Sequence, residues 1–218
     1  MMNHEIHLKV CGLTKTNQIQ ELISMNIDFL GFVFYEKSPR YALNRLSLHD
    51  ISKIIHEGKV GVFVNEDLNN VLEITKKADL NFIQLHGDES IHYISELRKE
   101  LNPKVKIIKV FRVGSSIEHL KLNIKQIRSI VDYILFDTDG KAFGGTGKQF
   151  DWSLLNDLEI EIPYFLSGGI SEENVEKIKI LNQRPFAFDI NSKFETEPGI
   201  KDLEKVRLFS SNLLKSNP

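Results

Sequence analysis

Cys11 is the only cysteine in the chain, in the stretch KVCGLTK, after an apolar run and before a glycine. Two roles are open to it. A lone cysteine is commonly a small buried hydrophobe. A thiol whose thiolate is favoured, starting from a pKa of ~8.5, is instead a base or a nucleophile. Asp137 closes another apolar run, VDYILFD, and adds a carboxyl group. It could cap a helix, or it could carry a proton. An acid and a base that face each other suit an isomerisation, in which one donates a proton and the other removes one. Arg40, in KSPRY, offers a rigid fork of donors that matches a carboxylate, although loop arginines often stay solvated. Lys37 is a weaker candidate for that task. His86, in LHGDE, could be another acid–base group, but a histidine in such a place is more often hydrogen-bonded and structural.

Three turns rich in glycine or serine fall in the last third. They are GGTGK, with Gly145, Thr146 and Gly147; SGG, with Gly168 and Gly169; and NS, with Asn191 and Ser192, just after Asp189, itself a substrate-binding candidate. Glycine lets backbone N–H groups approach an anion, and a helix N-terminus adds partial positive charge. Each turn alone could be nothing more than a turn. Together they predict one phosphate site in the C-terminal third. The loops NED (65–67) and HGDES (86–90) are acidic and would repel a phosphate dianion. A substrate with one phosphate is therefore expected, its other end reaching toward Arg40.

Such groups need a frame. Eight short runs rich in Val, Ile, Leu and Phe recur along the chain, beginning near residues 6, 28, 59, 81, 105, 131, 162 and 185. That composition suits strands buried on both faces. Helical spacings lie between them: Ile19, Leu22 and Ile23; Ile91, Ile94 and Leu97; Val175, Ile178 and Leu181; and Leu203, Val206 and Phe209. Asn65-Glu66-Asp67, Asp88-Glu89-Ser90 and Ser171-Glu172-Glu173 put caps and acidic groups at helix starts. Alternating strands and helices imply a parallel sheet with right-handed crossovers. Eight units predict an α/β fold, one (β/α)8 TIM barrel over residues 1–218, with its active site at the C-terminal ends of the strands. A doubly wound open sheet is the rival, but CGLTKT after the first strand is not G-x-G-x-x-G.

Apolar residues make up 41% of the 218 and charged residues 27%, enough for a sizeable core. A net charge of −2 gives no global pull toward nucleic acid or an anionic membrane. One cysteine forms no internal disulfide, which fits a reducing compartment. No apolar run approaches the ~20 residues that span a bilayer, and MMNHEIHLKV lacks the pattern of a secretory signal. A cytoplasmic protein with a small-molecule substrate is expected, without nucleic-acid or membrane partners, as a monomer or homodimer.

The motifs KVCGLT, GFVFYEKSPRY, VGVFVN, IQLHGDE, GGTGKQFDW, LSGGISEENV and EPGIKD resemble the phosphoribosylanthranilate isomerase family of tryptophan biosynthesis, in order from Lys9 to about Asp202. LSGG is shared with other phosphate-binding barrels, whereas KVCGLT with KSPRY is specific. The resemblance implies an Amadori rearrangement of N-(5-phosphoribosyl)anthranilate to 1-(2-carboxyphenylamino)-1-deoxyribulose 5-phosphate. It makes Cys11 the general base, Asp137 the general acid and Arg40 the holder of the anthranilate carboxylate, with no metal or cofactor. One stretch departs: the family commonly has DVSSGVE where this chain has DINSKFE. If that glycine needs a positive φ, Lys193 would be strained there. Three other readings compete. An indole-glycerol-phosphate synthase-like barrel would want catalytic lysines and an extension before strand one. The histidine-pathway isomerase would want an aspartate where Cys11 stands. A barrel that only binds a sugar phosphate would be expected to lack Cys11, Asp137 or Arg40.

Overall fold

The computed structural model describes residues 6–114, 117–138 and 150–215. Eight strands form a closed barrel: β1 (His7–Val10), β2 (Phe29–Val33), β3 (Lys59–Phe63), β4 (Phe82–Leu85), β5 (Lys106–Val113), β6 (Tyr133–Thr138), β7 (Tyr164–Leu166) and β8 (Ala187–Ile190). Each pairs in parallel with the next, and β8 closes on β1 with Lys9 opposite Asp189. Each strand coincides with one of the eight apolar runs.

Side chains alternate across each strand, so one set fills the barrel and the other meets the helices. Inside, Phe29, Val60, Ile108, Val110, Leu135, Phe165 and Ala187 form one cluster, with Phe82, Tyr133 and Phe186 packed against it. Phe29 meets Phe82 and Phe165 edge-on, each at 5.2 Å between ring centres. Phe29, Phe82 and Tyr133 are the first residues of their strands, so aromatic rings plug the N-terminal end. Burying one such ring stabilises the fold by roughly 1.5–3 kcal/mol. The opposite end is left for polar groups.

Outside the barrel run α1 (Thr16–Ser24), α2 (Leu48–Ser52), α3 (Leu68–Lys77), α4 (Ile91–Glu100), α5 (Glu118–Ile127) and α6 (Leu203–Lys215). Ile19 and Leu22 of α1, Ile94 and Leu97 of α4, and Val206 and Phe209 of α6 are buried against the sheet. Two caps sit where the sequence puts them. Asp67 Oδ1 accepts from the backbone N of Asn69 at 2.9 Å, and Ser90 Oγ accepts from Tyr93 N at 3.1 Å.

The crossover after β7 differs from its expected form. Residues Val175–Ile180 form a 3-10 helix with no fully buried residue, and Trp152–Asp157 after β6 is also 3-10. Val175, Ile178 and Leu181 are spaced by three, which the three-residue turn of a 3-10 helix satisfies as well as an α-helix does. Nor does Ser171 cap the segment. Its backbone N donates to Asn174 Oδ1 at 2.9 Å, and Asn174 Nδ2 donates to Gly169 O at 2.8 Å. A further element follows β8: an antiparallel hairpin of β9 (Glu195–Glu197) and β10 (Ile200–Lys201). Pro198 and Gly199, with Gly199 at φ +83°, supply the residue types of a type II turn. Among the described residues no helix is long and apolar enough to cross a membrane.

Candidate active site

Cys11 is the first residue past β1, and its backbone N donates to Ile190 O at 3.0 Å, extending the β1–β8 ladder by one step. Lys9, two residues earlier, lies on the same inward face. Its ammonium is fully buried and donates to Asp189 Oδ1 at 2.9 Å. The charge of the same ammonium also acts on the Cys11 thiol. A buried charge survives only when it is paired. Burial alone would lower the Lys9 pKa, but the Asp189 carboxylate and Cys11 outweigh it and hold the amine above its ordinary value. For Cys11, burial pushes the thiol up; the Lys9 and Lys201 charges pull it down without cancelling that rise. Gly31 of β2 faces the thiol. A Cβ there would stand 2.9 Å from Sγ, so only glycine admits Cys11 in this position.

Asp137 lies near the C-terminal end of β6, three strands from β1 around the barrel. Its Oδ1 accepts from Thr138 N at 2.8 Å, and its Oδ2 lies 3.3 Å from His86 Nε2. Behind His86, the buried Gln84 places Nε2 3.0 Å from Nδ1. With that amide donating to Nδ1, a neutral ring carries its proton on Nε2 and points it at Asp137. His86 thus lies beside Asp137, where the sequence favoured a structural role over an acid–base one. Asp189 interacts electrostatically with Cys11 on one side and with Asp137 and His86 on the other. The structure therefore gathers Lys9, Cys11, His86, Asp137 and Asp189 at one end of the barrel.

Arg40 follows β2, and it is not solvated. Its Nε lies 3.0 and 2.9 Å from the two oxygens of Glu195, and its Nη2 lies 2.7 Å from Oε2. Glu195 also accepts from Lys201 Nζ at 2.7 Å, and Lys201 donates a second bond to Asn191 Oδ1 at 2.8 Å. Lys37, the weaker candidate, is exposed. The acidic loops turn out to be used locally. Asp88 pairs with Arg112, while Glu89 pairs with Lys109 at 2.6 Å and accepts from the backbone N of Asn65 and Gly87.

Two of the three glycine- or serine-bearing turns lie at the ends of β7 and β8. Gly168 and Gly169 have φ of +85° and +73°. A Cβ on Gly168 would collide with Thr138 Oγ1 and come within 2.9 Å of the Thr138 backbone N. Ser167 Oγ donates to Asp189 O at 3.3 Å, tying the two turns together. Ser192 opens a 3-10 turn beside Asn191. The Asp189 side chain points away from these turns to Lys9. Lys193 does not take a positive φ, so the strain considered for it does not arise. It sits within the 3-10 turn, and Phe194 is fully buried with its ring centre 4.9 Å from that of Phe209. Gly145, Thr146 and Gly147 lie outside the described residues. Among the described residues no three His, Cys, Asp or Glu side chains are grouped as a metal site requires.

The sequence signature of the N-(5'-phosphoribosyl)anthranilate (PRA) isomerase family matches residues 8–212. An N-(5'-phosphoribosyl)anthranilate isomerase of Caldanaerobacter subterraneus subsp. tengcongensis is 39% identical over 209 residues, covering 94% of this chain and 96% of the relative. The phosphoribosyl anthranilate isomerase of Thermotoga maritima superposes with a TM-score of 0.80 at 32% identity, over 96% of this chain and 99% of the other. A similar enzyme, 30% identical with a TM-score of 0.76 over 96% of this chain and 99% of its own, was solved with reduced 1-(o-carboxyphenylamino)-1-deoxyribulose 5-phosphate.

Proposed function

The chain belongs to the N-(5'-phosphoribosyl)anthranilate isomerase family, and we propose that Cys11 is its general base and Asp137 its general acid. The activity is the isomerisation of phosphoribosylanthranilate to 1-(2-carboxyphenylamino)-1-deoxyribulose 5-phosphate, in tryptophan biosynthesis. Asp137 protonates the furanose ring oxygen. The bond from that oxygen to the anomeric carbon breaks, and the anthranilate nitrogen forms a protonated imine. Cys11, as thiolate, takes the proton from the adjacent sugar carbon, and the electron pair moves into the imine to give an enolamine. Tautomerisation yields the aminoketose. The imine is its own electron sink, so this route calls for no metal or cofactor.

Arg40 holds the anthranilate carboxylate. The turns at Gly168–Gly169 and Asn191–Ser192 supply backbone N–H groups for the phosphate, with Gly145, Thr146 and Gly147 completing the site. Asp189 supports the base through Lys9. The protein is cytoplasmic in this reading and works as a monomer or homodimer on a small molecule alone. The observation that carries the assignment is the position of Cys11, just past β1, and Asp137, near the end of β6, at the same C-terminal end of the barrel.

A coupled assay with freshly generated phosphoribosylanthranilate tests it. Cys11→Ser is expected to lower kcat by about 100-fold or more, in line with general-base removal, with KM little changed. Asp137→Asn should do the same while inorganic phosphate still inhibits. Near-normal turnover in Cys11→Ser would return the thiol to a packing role, and an active Asp137→Asn would mean that another acid serves the ring oxygen.

A further inference from the structure

Glu195 grips Arg40 from the side. It contacts Nε at 3.0 and 2.9 Å and Nη2 at 2.7 Å. A guanidinium has five N–H groups, arranged as a side edge (Nε with Nη2) and an end edge (Nη1 with Nη2). Glu195 occupies the side edge, which leaves the end edge for another acceptor. The Glu195 side chain is only 3% exposed. It is further fixed by Lys201 Nζ at 2.7 Å and by the backbone N of Gly199 at 3.0 Å. Burial would raise its carboxyl, but the hydrogen bonds from Arg40 and the charge of Lys201 hold it below the ordinary range. The chain of contacts continues to Asn191 Oδ1, 2.8 Å from Lys201 Nζ. Gly12, next to Cys11, lets the ends meet: a Cβ there would stand 2.7 Å from Arg40 Cδ and 2.9 Å from Asn191 Oδ1.

We propose that Glu195 is a positioning residue that sets substrate specificity: it locks Arg40 side-on so that the end edge is presented to the substrate carboxylate. Through Lys201 it also fixes that edge relative to the turn at Asn191. The carboxylate holder and one phosphate turn thus form a rigid gauge. A ligand whose carboxylate is absent or displaced loses the paired contact. This inference rests on the reading of Arg40 as the carboxylate holder. It departs from a purely electrostatic account in one respect. Glu195 is an anion between two cations, so if charge were its only role, removing it would strengthen anion binding.

The test is steady-state kinetics on the full chain, with free anthranilate and inorganic phosphate as separate inhibitory probes. Glu195→Gln is expected to raise KM for phosphoribosylanthranilate about tenfold, the scale of one lost charge-assisted hydrogen bond, with kcat within about threefold. Anthranilate inhibition should weaken, and phosphate inhibition should hold or tighten. Glu195→Asp keeps the charge that Lys201 needs but is too short to span both nitrogens. It guards against misfolding of the Gln variant and should raise KM as well. Arg40→Ala separates the two ideas. If it leaves KM unchanged, the carboxylate reading falls. If it raises KM while the folded Glu195 variants keep the wild-type value, or bind anthranilate more tightly, the positioning role of Glu195 is overturned.

Discussion

A thiol removed from water is a poor base unless something replaces the solvent that would stabilise its anion. At Cys11 burial has raised the pKa, and two ammonium groups oppose that rise: Lys9 from β1 and Lys201 from β10. Asp189 pushes in the other direction and is itself bound to Lys9. Asp137 and His86 lie beyond Asp189, while Arg40 and Glu195 surround Lys201. Of the two ammonium groups, the Lys9 charge acts more strongly on the thiol, so it should carry most of the stabilisation of the thiolate. With one cysteine in the chain, alkylation by iodoacetamide reports this site alone. In Lys9→Met the pH midpoint of alkylation should move up, the direction expected when a nearby cation is lost. Lys9→Arg should restore it in part, which separates charge from packing. An unshifted midpoint in a folded Lys9→Met protein would remove Lys9 as the counter-charge and point to Lys201 instead.

Elements deliver these residues, and the turn after β7 shows how little freedom they have. Gly168 combines a φ of +85° with contact against Thr138, the residue after Asp137. Alanine would meet both backbone strain and collision. Gly168→Ala should therefore cost about 1–3 kcal/mol in denaturant unfolding and weaken inhibition by inorganic phosphate. Wild-type stability with wild-type phosphate affinity would remove the turn from the site. The barrel itself was readable in the sequence, because eight doubly buried strands leave eight apolar runs. The strand ends then marked Cys11, Asp137, Arg40, Gly168 and Asn191. Other features leave no local trace. A spacing of three does not separate a 3-10 helix from an α-helix, so the segment at 175–180 was misread. Glu195 and Arg40 are 155 positions apart, and nothing around either residue names the other. Lys9 looks in sequence like an interruption of an apolar run, and only the register opposite Asp189 explains it.

At the scale of the whole molecule the two ends of the barrel have different tasks, and their chemistry can be separated. The C-terminal end holds the buried pairs Lys9–Asp189, Lys109–Glu89 and Lys201–Glu195. The N-terminal end is sealed by aromatic rings and by polar clasps: Asp132 takes Lys106 Nζ and the backbone N of Ile107, each at 2.9 Å, and Asp28 takes His7 Nδ1 at 2.7 Å and the backbone N of Leu8 at 2.8 Å. Burial would raise the Asp28 carboxyl, but the hydrogen bonds from His7 and Leu8 outweigh it and hold it below its ordinary value. Its folded pKa is therefore lower than its unfolded one. The stability it adds is fully present above the unfolded value, near pH ~4, and is lost as pH falls through the folded value. Asp28→Asn should thus be less stable than wild type near neutrality, and the gap should close progressively as unfolding is measured down to about pH 2.5. Because the Asp28 clasp lies at the end away from Cys11 and Asp137, kcat and KM at neutral pH should stay at wild-type values in the folded variant. A stability gap that does not narrow with acid would contradict the ionised clasp. A folded Asp28→Asn enzyme with depressed turnover would show that the sealed end and the reactive end are coupled after all.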